Sequence, residues 1–174
     1  MKTHIIGIMA LCALPLMSCA SSVDTSTVDR FDLNKYLGIW YEVARYDHSF
    51  EKGMDNTIAQ YILQDDGTVA VINSGWKNGK YQVAEGKAKY PDPDGKPGGL
   101  KVSFFLFFYS EYNIMMVDEN YQMSLVGSKK DNYLWILSRT PQLDDAVLGR
   151  CLEEAERRGY DTGNLIWVDQ SMNY

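Results

Sequence analysis

The sequence predicts an all-β fold: an eight-stranded, up-and-down antiparallel barrel, with one C-terminal α-helix packed outside it and a short ninth strand. Three observations carry that expectation. Eight runs rich in aromatic and β-branched residues follow one another between residues 36 and 138, with turn signals between them, which is the pattern of a meander. Only one stretch, 144–158, carries a convincing helical periodicity with acids early, Arg157 and Arg158 late and Gly159 as a stop. The 174-residue length fits one domain with a sizeable core, and a closed barrel of eight strands has room for one small ligand.

The elements follow in chain order. Asp32 to Lys35 suits a helical turn leading into the first strand, 36–47, which contains Gly38-x-Trp40 and no proline. Residues 57–64 alternate and stop at Asp65-Asp66-Gly67; 68–76 follow and close on Asn78-Gly79, a strong hairpin signal. The next strand is 80–90. The Pro- and Gly-rich run 91–99 must be loop, and its Asp92-Pro93-Asp94-Gly95 reads as a turn, since a calcium loop would need Glu where Ser103 stands. Strands at 100–109, 111–118, 121–128 and 133–138 complete the eight, and 165–168 supplies the ninth. On helix 144–158, Val147, Leu148, Cys151, Leu152 and Ala155 form the face that packs on the barrel, with Glu153/Arg157 and Glu154/Arg158 spaced as ion pairs.

Alternating polar residues set which way each strand faces. Lys101 and Ser103 facing water turn Leu100, Val102 and Phe104 inward; Glu111 and Asn113 facing water turn Tyr112, Ile114 and Met116 inward. By the same rule Tyr121, Met123 and Leu125 point in, as do Ala84, Gly86 and Ala88. The last strand is apolar on both faces. An arginine stacks well on an indole, so Arg139 over Trp40 would tie the last strand to the first, and that parity puts Tyr133, Trp135 and Leu137 inside and Leu134 and Ile136 under the helix. The inward set suits either a solid core or a greasy cavity, and the small Ala84, Gly86 and Ala88 tilt towards a cavity.

The first residues differ in kind. Lys2 and the 13-residue apolar run 5–17 have the form of a signal peptide, and Leu16-Met17-Ser18-Cys19 resembles a bacterial lipobox, with Cys19 as the acylated N-terminus after cleavage. The expected organisation is a lipoprotein signal peptide at 1–18, a flexible tether at 19–30 and the barrel domain at 31–174. Cys12 leaves with the signal and Cys19 is lipidated, so Cys151 has no internal partner. The formal charge is −6, and cleavage removes Lys2 and no acid; this acidic balance argues against nucleic acid as a partner.

Gly38-x-Trp40, the region from Tyr112 to Tyr121 and Arg139 together resemble the three signature blocks of the lipocalins, and the order of eight strands, helix and ninth strand is the lipocalin order. The runs 36–42, 100–105, 112–113 and 133–141 resemble most the bacterial outer-membrane branch of that family and, more distantly, apolipoprotein D. The resemblance implies ligand-lining positions at Tyr61, Asn73 and Trp135, with Tyr61 and Asn73 as polar handles. Added to the inward set, the expected ligand-binding residues are Tyr61, Asn73, Ala84, Val102, Phe104, Tyr112, Ile114, Met116, Met123, Leu125 and Trp135, with Gly38, Trp40 and Arg139 as the structural signature.

Catalytic motifs are lacking. After the signal, His48 is the one histidine, and no nucleophile elbow, zinc signature, paired Cys-x-x-Cys or phosphate loop occurs. The expected function is a lipid-anchored lipocalin that stores or carries fatty acids or lysophospholipids at the outer membrane, on its periplasmic face, without a cofactor or metal. Two alternatives stay open: an enzyme on the same scaffold, with His48 or Cys151 as its reactive group, and a filled-barrel assembly module. The resemblance is compatible with a homodimer, for which Phe105, Phe107 or Phe108 offer a contact.

Overall fold

The computed structural model describes residues 23–173 apart from 106 and 129–132. The expected signal peptide at 1–18 and the expected lipidation site Cys19 lie outside the described residues. A short helix α1 (Leu33–Tyr36), capped by the Asp32 side chain on the Asn34 amide, leads into strand β1 (Gly38–Tyr46). Strands β2 (Asp55–Leu63), β3 (Val69–Lys77), β4 (Lys80–Lys89), β5 (Gly99–Ser103), β6 (Ser110–Val117), β7 (Met123–Gly127) and β8 (Leu134–Ser138) follow, then helix α2 (Asp145–Arg157) and strand β9 (Leu165–Trp167). Each strand pairs antiparallel with the next, and β1 pairs with both β2 and β8, so the sheet closes. β9 lies along the far end of β1.

The turns obey their sequences. Asn78 and Gly79 both take positive φ, as the two-residue hairpin between β3 and β4 demands, and Gly67 does the same between β2 and β3. Asp144 caps α2 by accepting from the Ala146 amide, and Gly159 ends it at φ +91°. Glu154 takes both Arg157 and Arg158 at 2.7 Å, so the expected Glu153/Arg157 pair is replaced by an i, i+3 pair.

Two apolar clusters divide the domain. One fills the lower interior around Tyr36, Trp40, Tyr61, Val71, Leu100, Ile114 and Leu137; the other, under α2, holds Met115, Met123, Leu125, Leu134, Ile136, Cys151 and Tyr160. Leu134 and Ile136 lie beneath the helix and Leu137 inside, as their parity requires.

Three inward assignments are overturned. Met116 packs in the helix-side cluster because the β6–β7 register shifts between Ile114 and Met116; the extra residue, Met115, reverses the parity beyond it. Met123 and Leu125 also belong to the helix side, while Val126 and the buried Ser124 hydroxyl face the interior. Alternation misleads on β7 because every one of its residues is buried, so a polar side chain there marks an internal hydrogen bond rather than water.

Part of the stretch expected to be a tether, 19–30, lies within the described residues. Residues 23–30 run against the barrel: the Asp24 amide donates to the Arg158 carbonyl at 2.8 Å, the Val28 amide to the Ile114 carbonyl at 3.0 Å, and Arg158 Nη1 to the Ser26 carbonyl at 2.7 Å.

Candidate ligand-binding site

Strand pairing defines the interior face. Trp40 opposes Ala59, Ala59 opposes Asn73, and Asn73 opposes Ala84, which makes one inward row across β1 to β4. The next row towards the closed end runs from Tyr61 through Val71 to Gly86. Tyr61, Asn73, Ala84, Val102, Tyr112, Ile114 and Trp135 therefore share the interior. Phe104 does not stay in the strand: the chain turns after Ser103, and its ring lies over Gly86, where a Cβ would meet Phe104 Cδ1 at 2.7 Å. Gly86 is small to admit that ring, not to leave a void, and Phe104 borders the site instead of lining its depth.

The closed end is a floor of tyrosines. Tyr61 and Tyr112 hydroxyls lie 2.8 Å apart, Tyr36 and Tyr112 hydroxyls 3.0 Å apart, and Tyr36 donates to Ser124 Oγ at 3.3 Å. Full burial raises the phenols, Tyr36 to about 12, so all three remain neutral donors and acceptors.

The open end holds charge that the alternation rule did not anticipate. Glu42 and Arg45 of β1 both face in, because the register between β1 and β8 shifts between Glu42 and Ala44. Arg45 Nη1 pairs with Glu42 Oε2 at 3.0 Å, and the Thr57 hydroxyl donates to the same oxygen at 2.6 Å. Arg45 Nη2 donates to the carbonyls of Glu51 at 2.9 Å and Met54 at 2.8 Å, fastening the 47–54 segment across the mouth. From that segment the Glu51 carboxylate reaches inward and accepts from Trp135 Nε1 at 3.2 Å and Asn73 Nδ2 at 3.3 Å. His48 Nε2 lies 3.0 Å from Glu51 Oε2 without hydrogen-bond angles, and its ring stacks on Phe50 at 4.0 Å.

Burial works against ionisation at both carboxyls. It pushes Glu42 up to about 8, helped by the negative Glu51 beside it and only partly offset by Arg45. At Glu51 the same desolvation is outweighed by His48, Trp135 and Arg45, which hold the carboxyl below its ordinary range. Glu42 was readable as inward from its spacing to Trp40; Arg45 was not, since it lies beyond the register shift. Nothing in the composition of 47–54 signals a segment folded over the mouth.

The wall itself is incomplete. β4 pairs with β5 only at Lys87–Ser103, Ala88–Val102 and Lys89–Lys101, so residues 80–86 have no β5 partner. A groove of about 630 Å³ lies at the paired end of this gap, lined by Asp66, Glu85, Gly86, Lys87, Phe104 and Phe107 and by none of the interior residues Tyr61, Asn73, Ala84, Tyr112 or Trp135.

The chain is similar to proteins of known class. A family model for the lipocalin-like domain matches residues 31–170. Outer membrane lipoprotein Blc of Escherichia coli K12 is 42% identical over 166 residues, covering 92% of this chain and 93% of that protein; the Vibrio cholerae Blc is also 42% identical over 166 residues, covering 93% and 96%. Bovine apolipoprotein D is more distant, 37% identical over 123 residues and covering 66% and 64%. Among solved structures, the cockroach allergen Per a 4 superposes with TM-score 0.68 at 23% identity, covering 88% and 99%, and insecticyanin of Manduca sexta with TM-score 0.68 at 22%, covering 84% and 84%. The names of the bacterial relatives agree with a lipid-anchored location at the outer membrane. A closed eight-stranded meander pinned by Arg139 on Trp40, matched over residues 31–170, leaves one assignment: the chain belongs to the lipocalin family.

Proposed function

We propose that this protein binds one amphiphilic lipid of the fatty-acid or lysophospholipid class in its barrel, and stores or carries it at the outer membrane without transforming it. One observation carries the reading: Ala84 sits on the interior face opposite Asn73 yet is exposed, because the wall beside it has no β5 partner. A hydrocarbon tail entering there meets Asn73, Trp135 and, deeper, Tyr61 and Tyr112. Each CH₂ removed from water contributes about 0.8 kcal/mol, so a chain of roughly 16 carbons offsets an association cost of about 4–15 kcal/mol. Signal cleavage before Cys19 and acylation of that residue belong to the same proposal, as do ligand contacts by Val102 and Ile114. Native mass spectrometry of delipidated protein re-exposed to long-chain fatty acids and lysophospholipids tests it: one-to-one adducts are expected, and no uptake of any long-chain lipid would end it.

The exposure of Phe105, Phe107 and Phe108, at 67%, 88% and 76%, favours a homodimer through the β5–β6 loop as the accompanying assembly. Sedimentation of the protein without its anchor checks this, with a monomer at all concentrations as the refuting result.

A further inference from the structure

We infer that Glu51 occupies a head-group subsite built by Arg45, His48, Asn73 and Trp135, and that the carboxylate of a bound fatty acid takes its place. The inference rests on the lipid-binding reading above and adds the head-group chemistry to it.

Two donors from different parts of the chain meet at one carboxylate, Trp135 Nε1 from β8 at 3.2 Å and Asn73 Nδ2 from β3 at 3.3 Å, with His48 Nε2 3.0 Å from it without hydrogen-bond angles and Arg45 of β1 holding the Glu51 carbonyl at 2.9 Å. Three of these four residues stand on barrel strands. Glu51 does not: it hangs from the 47–54 segment, whose backbone stays fastened through the Glu51 and Met54 carbonyls when the side chain turns out. The fixed part of the arrangement is thus the three strand-borne side chains of Trp135, Asn73 and Arg45, and the movable part is the anion.

Exchange of one carboxylate for another keeps the buried Trp135 and Asn73 donors satisfied and the local charge unchanged. Departure of Glu51 for a neutral ester would leave those donors only the weaker acceptor of an uncharged carbonyl in a water-poor site. Glu42 cannot serve instead, since Arg45 Nη1 and the Thr57 hydroxyl already hold its carboxyl against the wall. The site also holds more donor capacity than Glu51 uses, because the buried Arg45 Nε has no acceptor among the described residues. A tail attached at this subsite runs from Asn73, beside Ala84 and the gap in the wall, down the interior towards Tyr61, so head and tail positions are continuous.

The test uses full-length, delipidated protein titrated calorimetrically with hexadecanoic acid, its methyl ester and palmitoyl lysophosphatidylglycerol. The acid is expected to bind about tenfold or more tightly than the ester. Glu51→Ala and the nearly isosteric Glu51→Gln raise the acid-to-ester ratio, Asn73→Ala lowers it, and thermal melts of each variant verify the fold. An acid-to-ester ratio near one that no variant moves overturns the head-group assignment and leaves lipid binding standing. A lysolipid preferred over the acid likewise overturns the carboxylate assignment, while failure of all three probes removes the lipid-binding reading as well.

Discussion

The Arg139 guanidinium lies 3.9 Å from the centre of the Trp40 ring, joining the chain's last barrel strand to its first. The same group donates from Nη1 to the Ile39 carbonyl at 2.6 Å and from Nη2 to those of Lys35 and Leu37 at 2.8 Å each. Gly38 makes this possible: its φ is +96°, and a Cβ there would come within 3.4 Å of Arg139 Nη1. Arg139→Met keeps bulk but loses the charge and every donor, so it should cost about 2–4 kcal/mol in urea unfolding. Arg139→Lys should recover only part of that, because an ammonium cannot stack flat and donate to three carbonyls together. Equal stability of Met and Lys variants would contradict this account.

Gly86 offers a second test, because an ideal Cβ at that position lies 2.6 Å from the Ser103 carbonyl and 2.7 Å from the Phe104 ring. Gly86→Val should push the 103–105 turn away and cost about 1–3 kcal/mol. The gap between β4 and β5 should widen as it does so. Hydrogen exchange of the Lys87 to Lys89 amides reads the change directly; unchanged protection there would mean that the turn absorbs the methyl groups elsewhere.

Much of this fold was legible because turns and parity are local. Asn78-Gly79 and Asp66-Gly67 announced hairpins that the structure contains, and the Trp40/Arg139 pairing followed from two side chains that suit each other. What escaped was any property set by an extra residue or by a second buried face. Met116 flipped outward behind the Met115 bulge, Arg45 turned inward behind the shift in β1, and Ser124 was buried for Tyr36 although it looked like a surface residue. The mouth escaped for a further reason: Glu51 and His48 pack through contacts to β3 and β8, which lie far from them in the chain.

Cys151 lies between α2 and the barrel, 3.9 Å from Met123 Sδ, and burial pushes its thiol up to about 12. A thiol of that kind is neither a nucleophile nor a redox centre at neutral pH. Folded protein lacking Cys19 should therefore resist an aromatic disulfide reagent at pH about 8, and react fully only once unfolded in urea. Rapid labelling of the native chain would reopen the case for chemistry at this position.

Residues 23–30 supply a fourth test through Arg158, which reaches the Ser26 carbonyl at 2.7 Å and the Met115 carbonyl at 3.0 Å. Arg158→Ala removes the cation that spans this segment and β6. Limited proteolysis should then cut within 23–30 at protease levels that leave the parent chain whole, with the barrel itself surviving. Equal resistance of the two proteins would show that the Asp24 and Val28 backbone bonds suffice without it.

The buried Glu42 carboxyl makes stability depend on pH in a direction opposite to that of a surface acid pair. Burial first, and the neighbouring Glu51 second, raise it from 4.5 to about 8, so between those values the folded chain holds a proton that the unfolded chain has lost. Unfolding then releases that proton, and stability must fall as pH rises through this window. Glu51, held below its ordinary value, acts the other way but only in the acid range, where stability falls as pH drops. Urea midpoints measured between pH about 5 and about 8 should therefore decline for the parent chain, and the decline should flatten in Glu42→Gln, whose amide cannot titrate. Arg45 keeps an acceptor in the variant amide oxygen, which limits the accompanying loss of packing. A parent midpoint that rises across the window, or a Glu42→Gln slope identical to the parent's, would mean that Arg45 at 3.0 Å keeps Glu42 ionised throughout.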